Sequence, residues 1–139
     1  MAKYLITALL WALSLSCHAQ TEGVAFKGTF HNKEYQVYLK INFQKKDVTI
    51  PGQEIIGEVP GFLGDQKDSR KWIITGVTIK GNTAYLEIIN DYGSEDLEAE
   101  LSFDKDGHCT LRQKKGSTLK IVRDREWVKL PKQMTFQKE

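Results

Sequence analysis

Apolar and polar residues alternate along most of the chain beyond residue 20, and the alternation breaks at Gly, Asn, Asp and Pro. A period of two is the mark of strands with one buried face. The pattern is clearest over residues 97–103, where apolar residues fall at 97, 99, 101 and 103 with Glu98, Glu100 and Ser102 between them. Asp104-Lys105-Asp106-Gly107 then suits a type I turn followed by a left-handed Gly. This turn pairs Asp104 with His108, so Leu101 faces Leu111 and Phe103 faces Cys109. On the other face Glu100 meets Arg112 and Glu98 meets Lys114. A second turn, Gln113-Lys114-Lys115-Gly116, closes on Ser117 and sets Leu111 against Leu119 and Cys109 against Ile121. The charge blocks flanking the first turn read as cross-strand pairs, each contributing roughly 0.2–1 kcal/mol.

The same reading extends to the rest of the chain. Residues 24–30 and 35–43 form a hairpin about Asn32-Lys33, with Phe30 facing Tyr35, Gly28 facing Val37 and Phe26 facing Leu39. Val48-Thr49-Ile50 is a short strand, and Ile50-Pro51-Gly52-Gln53 matches a type II turn. Residues 54–59 continue as a strand that Pro60-Gly61 interrupts, which predicts an edge or a bulge. Residues 65–71 read as a polar loop. Residues 71–80 and 83–90 pair about Gly81-Asn82, with Ile79 opposite Ala84, Val77 opposite Leu86 and Thr75 opposite Ile88. The other face of that hairpin carries Trp72, Ile74, Tyr85 and Ile89, so both faces are apolar. Either the tail at 127–136, with Met134, covers that second face or it forms an exposed patch.

No segment beyond the first twenty residues has helical periodicity. Nine or ten short strands joined by tight hairpins predict an all-β, antiparallel up-and-down meander. Closing it into a barrel removes the unpaired edges; a split sandwich is the alternative.

The start of the chain has a different character. Met1-Ala2-Lys3 is a short positive segment, residues 5–15 are apolar but too few to span a bilayer, and Ser16-Cys17-His18-Ala19 ends on a small residue. Residues 1–19 therefore read as a signal peptide and residues 20–139 as one domain. This predicts an exported protein, periplasmic or secreted, with no transmembrane segment after signal removal. Lipidation at Cys17 fits less well, because Ser14-Leu15-Ser16 puts Leu at the wrong offset.

The chain carries 20 Lys+Arg and 18 Asp+Glu; losing Lys3 leaves a net charge of +1. Such a balance argues against a nucleic-acid partner. Of the two cysteines only Cys109 remains after cleavage, so no internal disulfide can form and packing must hold the domain. Cys109 lies on the inward face and reads as a core thiol.

Candidate chemistry is sparse. Asn90, Asp91, Ser94, Glu95 and Asp96 cluster oxygen donors, but their spacing does not match an EF-hand and they read as a solvated turn. His31 and His108 are scattered, and no Cys/His spacing suits zinc. There is no Gly-x-Ser-x-Gly, and His108 and Cys109 point to opposite faces of one strand. Glu98 and Glu100 have basic partners. No catalytic residue, metal site or cofactor is predicted.

Phe26-Lys27-Gly28-Thr29-Phe30 resembles the opening of calycins, the lipocalin and fatty-acid-binding-protein group. There a Gly-x-Trp begins the barrel and the Trp packs against an Arg near the last strand. Phe30 stands at the Trp position here, and Arg123 or Arg125 would be its partner. The chain also looks like small exported bacterial proteins with lipocalin-like barrels. The resemblance implies a lipocalin-like closure of the predicted meander.

Two functions follow as expectations. In the first, a small apolar molecule binds inside the barrel, lined by Phe26, Phe30, Tyr35, Val37, Leu39, Ile73, Val77, Leu86, Leu101 and Leu111. In the second, the domain is a binding module or inhibitor of another exported protein. Its contact patch would be an exposed one of Phe62, Leu63, Trp72, Ile74, Tyr85 and Ile89.

Overall fold

In a computed structural model, which describes residues 26–139, the alternation resolves into twelve strands. They are β1 (Lys27–Asn32), β2 (Val37–Asn42), β3 (Val48–Thr49), β4 (Glu58–Val59), β5 (Gly61–Asp65), β6 (Trp72–Lys80), β7 (Thr83–Asn90), β8 (Asp96–Phe103), β9 (Cys109–Gly116), β10 (Lys120–Arg123), β11 (Glu126–Lys129) and β12 (Gln133–Lys138). Eight of them close a barrel in the order β1-β2-β5-β6-β7-β8-β9-β12 and back to β1. Every pairing is antiparallel, and each barrel strand pairs with the next barrel strand along the chain. The protein is thus an all-β meander closed as a barrel, with two short ribbons, β3–β4 and β10–β11, inserted as excursions. The strand count exceeds the expected nine or ten because residues 126–129 pair with β10 and β5 stands as a strand of its own after Pro60. The signal-peptide reading of residues 1–19 lies outside the described residues.

The turns form where the backbone chemistry asks for them. Gly107 takes φ +82°, and the Asp104 N–H donates to the His108 carbonyl at 3.0 Å, so Leu101 pairs with Leu111, Phe103 with Cys109 and Glu100 with Arg112 as expected. A bulge at Lys114 then shifts Glu98 onto Lys115, and the Lys114 ammonium turns to Glu100 at 3.6 Å. The first hairpin is re-registered. Asn32 Oδ1 accepts from the Tyr35 N–H at 2.9 Å, which stabilises a four-residue loop in place of a two-residue turn. Phe30 therefore faces Leu39, and Gly28 faces Ile41.

The second half of the double hairpin does not form. Past Gly116 the chain leaves the wall, and β9 pairs with β12, with Leu111 opposite Met134 and Cys109 opposite Phe136. Leu119 and Ile121 belong instead to the excursion that covers one barrel end. Gln113, itself buried, holds its base. The Gln113 side chain accepts from the Leu119 N–H at 2.7 Å and donates to the Pro131 carbonyl at 3.0 Å. The residue expected to open a tight turn is a ribbon anchor, because this amide can satisfy the backbone groups freed where the ladder breaks.

A bulge between Ile74 and Gly76 overturns the predicted faces of β6. One extra residue at Thr75 sends everything before it to the other side of the sheet. Trp72 and Ile74 thus point inward, at 6% and 1% exposure, and pack with Ile88 in the main core. Ile73, expected in the interior, turns outward with Ile89. That outer face is covered by the β3–β4 ribbon and not by the tail, since β12 is a barrel strand. Val48, Ile50 and Val59 bury Phe62 and Ile73 beneath them, with Tyr38 and Ile89 at the margin. Residues 54–56 form a 3-10 turn in place of the expected strand, because Gly57 at φ +82° bends the chain back. Pro60 precedes β5, whose neighbours β2 and β6 leave it no free edge.

The lumen is filled by side chains from opposite walls. The Phe103 ring meets Phe26 at 5.0 Å and Phe30 at 5.5 Å, both edge to face. Val37, Leu39, Leu86, Leu101 and Leu111 are at most 2% exposed, and Tyr35 and Val77 pack at the margin of the same core. Each such burial contributes about 1.5–3 kcal/mol relative to exposure.

Candidate functional site

One barrel end carries three loops from separate hairpins: the β1–β2 loop, the β5–β6 loop and the β7–β8 loop. The β10–β11 ribbon lies across them. Between the ribbon and the loops is a cleft lined by Leu63, Trp72, Ile121 and Trp127 on its apolar side, with Arg70, Lys71, Asp91, Tyr92, Glu95 and Lys120 around it. About 40 Å³ of free space remains there, the room of roughly three waters or one small apolar group.

Short-range polar bonds set each loop. Asp65 and Asp68 accept from the Lys67 and Arg70 N–H groups two residues on, the turn habit of Asp. Asn90 Oδ1 accepts from the Ser94 N–H at 2.8 Å and the Glu95 N–H at 3.2 Å. Asn90 and Ser94 thus build the turn, while Asp91 and Glu95 bond to neighbouring segments, and among the described residues no group of three or more acidic, His or Cys side chains is arranged to hold a metal ion.

Ion pairs fasten the ribbon to the loops. Arg123 donates both guanidinium ends to Asp65, at 2.6 and 2.9 Å, and to the Tyr35 carbonyl at 2.7 Å. The Asp65 side chain is 5% exposed and that of Arg123 25%, so the carboxylate end of this bidentate pair is the shielded one. It holds the Arg123 guanidinium above its usual range, and burial followed by the Asp65 charge raises the Tyr38 phenol. The calycin-like expectation placed Arg123 or Arg125 against Phe30. Arg123 instead clamps the ribbon, while Phe30 packs on Phe103. On the other side Lys120 pairs with Glu95 at 2.9 Å, and the Trp72 indole N–H donates to the Lys120 carbonyl at 3.1 Å.

Trp127 stands 58% exposed at the rim. The Arg70 guanidinium lies 5.3 Å from its ring centroid and the Lys120 ammonium 5.2 Å. Arg70 in turn is paired with Asp68 at 2.9 Å. Burial alone would raise the Asp68 carboxyl, but the hydrogen bonds and charge of Arg70 outweigh it and hold it below its usual value. An exposed indole flanked by two paired cations is a fixed, flat contact surface.

The residues named from sequence are distributed differently from expectation. Phe26, Phe30, Tyr35, Val37, Leu39, Val77, Leu86, Leu101 and Leu111 all belong to the main core or its margin. Of the surface set, Phe62, Leu63, Trp72 and Ile74 are buried and Ile89 is half-buried; the β6 bulge and the β3–β4 ribbon removed them from the surface. Tyr85 remains 42% exposed, with the Lys80 ammonium 5.5 Å from its ring. Of the residues around the cleft, Leu63 and Trp72 were named as candidate contacts; Trp127 was read as part of a lid. Arg70, Lys71, Tyr92 and Lys120 carry no motif and meet only because three chain segments converge. His31, near the Gln66 amide at 3.5 Å and Glu139 at 3.6 Å, lies toward this end, and His108 follows a turn at the other. Cys109 is buried in the wall, and burial pushes its thiol up to about 12. No protein-family model, curated protein or solved structure matches the chain, so its reading rests on this geometry.

Proposed function

We propose that the chain is an exported, non-catalytic binding protein that takes the apolar group of a small molecule into the barrel-end cleft between Trp72 and Trp127. The observation that carries this reading is the cleft itself: an apolar floor, an exposed indole held by Arg70 and Lys120, and charged groups at the rim. Binding sites commonly pair an apolar lining with a few fixed polar groups. The positive start, apolar stretch and small residue at Ala19 support export. The eight-stranded antiparallel barrel is compatible with a calycin-like fold, and among the described residues no helix is long and apolar enough to cross a membrane. A lumen filled by Phe26, Phe30 and Phe103 favours the mouth over the interior as the site.

Native mass spectrometry of protein purified from its own host tests this. The wild type is expected to carry a bound small molecule that Trp127→Ala loses. That substitution should cost about 1–2 kcal/mol of stability, the scale of its two exposed cation–π contacts, and leave the fold intact. A wild type with no bound mass, whose Trp72 and Trp127 indole NMR signals ignore small apolar fragments, counts against the reading. A second reading, docking of another exported protein at this end, draws on Ile55 and Tyr92, 99% and 79% exposed. Co-purification of a protein that Trp127→Ala releases would favour it.

A further inference from the structure

The charges around the cleft are paired with two exceptions. Arg70 has Asp68, Lys120 has Glu95 and Arg123 has Asp65. Lys71 and Asp91 are left over: among the described residues neither makes an ion pair within 4.0 Å. Lys71 is 8% exposed, yet its ammonium makes a single hydrogen bond, to the Ser69 carbonyl at 2.7 Å. An ammonium has three donors, so two of those on Lys71 remain for solvent or a ligand. Asp91 is half-buried. Its Oδ2 accepts from the Gln53 amide at 3.2 Å and the Lys71 backbone N–H at 3.3 Å. Its field also reaches Arg70, as the weakest of the influences on that group. Both residues line the apolar cleft.

Resting on the cleft reading above, we infer that the ligand is a zwitterion with a small apolar side chain, of the α-amino-acid class. Its carboxylate accepts from the Lys71 ammonium, its ammonium donates to Asp91, and its side chain occupies the space against Trp72 and Ile121. The two opposite charges complement the two unpaired ones, and a ligand of either single charge would leave one of them uncompensated. The free volume admits a small aliphatic group and excludes a large ring system. The same chemistry is offered in halves by the two ends of a peptide, so the test separates the sources.

The experiment titrates the protein with L-leucine, L-leucinamide and N-acetyl-L-leucine while following the Trp72 and Trp127 indole resonances. Leucinamide stands for a peptide N-terminus and N-acetylleucine for a C-terminus. Leucine is expected to bind about tenfold tighter than either, the scale of one charge-assisted hydrogen bond. Lys71→Met should bring leucine to the affinity of leucinamide, and Asp91→Asn to that of N-acetylleucine. Lys71→Arg, which keeps the charge, should retain a preference for leucine over leucinamide. Indole chemical shifts matching the unbound wild type serve as the check that each variant folds. Equal affinity for all three ligands overturns the inference and leaves the cleft reading standing. Tighter binding of one single-charge analogue overturns it in favour of a peptide end. No response to these three, with apolar fragments still binding, overturns it alone; no response to any ligand overturns both readings.

Discussion

Gly116 illustrates how one backbone position can fix a junction. It adopts φ +97°, and a Cβ built on it would lie 2.6 Å from the Asp96 carbonyl oxygen and 2.9 Å from Leu97 Cα. Backbone atoms cannot yield as a flexible side chain can. Gly107 has φ +82° but open space around it, so a side chain there costs only the left-handed strain of about 1–2 kcal/mol. Gly116→Ala is therefore expected to destabilise clearly more than Gly107→Ala, by about 3 kcal/mol or more against about 1. Urea denaturation of the two variants checks the order, and equal costs would contradict it. Cys109 gives a pH-dependent prediction. Its thiol ionises near 9.0 when unperturbed and near 12 in the fold, because of burial and then the Asp104 charge. Between those values unfolding releases a proton that the native state keeps, so this group's contribution falls as pH rises. Relative to Cys109→Ala, the wild type should lose about 1.4 kcal/mol per pH unit above pH 9. Urea titrations of both proteins from pH 7 to pH 10.5 measure that difference.

The two ribbons do different work at the scale of elements. The β10–β11 ribbon makes no backbone ladder with the barrel wall and is held by Arg123, Lys120, Gln113 and the apolar contacts of Leu119 and Ile121. Its Asp124 and Arg125 both take positive φ, at 52° and 66°, the backbone of a tight two-residue hairpin turn. The β3–β4 ribbon is a patch over an apolar wall, and its centre is Ile50, fully buried. Ile50→Asp should detach this ribbon at a cost of about 2–4 kcal/mol, through lost packing and a carboxylate with no buried partner. Amides of residues 48–59 are expected to lose hydrogen-exchange protection while those of β7 and β8 keep theirs. Dye binding to the uncovered Phe62 and Ile73 should rise. Uniform loss of protection across the barrel would show that the ribbon is part of one cooperative unit.

For the whole molecule, the closing contact is the long-range one. Strands β1 and β12 pair, and the Asn32 amide donates to the Thr135 carbonyl 103 residues away at 3.0 Å. Barrel closure therefore has to pay a large loop entropy before it is rewarded, which predicts folding on the millisecond-to-second scale. Removing residues 133–139 deletes β12, exposes the edges of β1 and β9, and takes Met134 and Phe136 out of the core. Such a chain should show no cooperative thermal transition and no near-ultraviolet circular dichroism. A sharp transition in both signals would mean that the remaining seven strands close on their own.

The alternation of apolar and polar residues determined the all-β class, and the Gly, Asn and Asp turns determined the hairpins at 81–82 and 104–107, because these depend on neighbours a few residues apart. The meander followed from the short connections, and closure from the need to cover edges. Tertiary structure decided what the local pattern cannot encode. The bulge at Thr75 inverted the face of Trp72, since one inserted residue reverses a period of two; Gly76 was the available signal. The partner of β9 was set by closure against β1 and not by the nearest turn. The cleft was set by three segments meeting at one barrel end, where Lys71 and Asp91 lie in loops whose composition looks merely solvated and Trp127 in a short ribbon strand. Loops answer to what surrounds them in space, and that surrounding exists only once the barrel has closed.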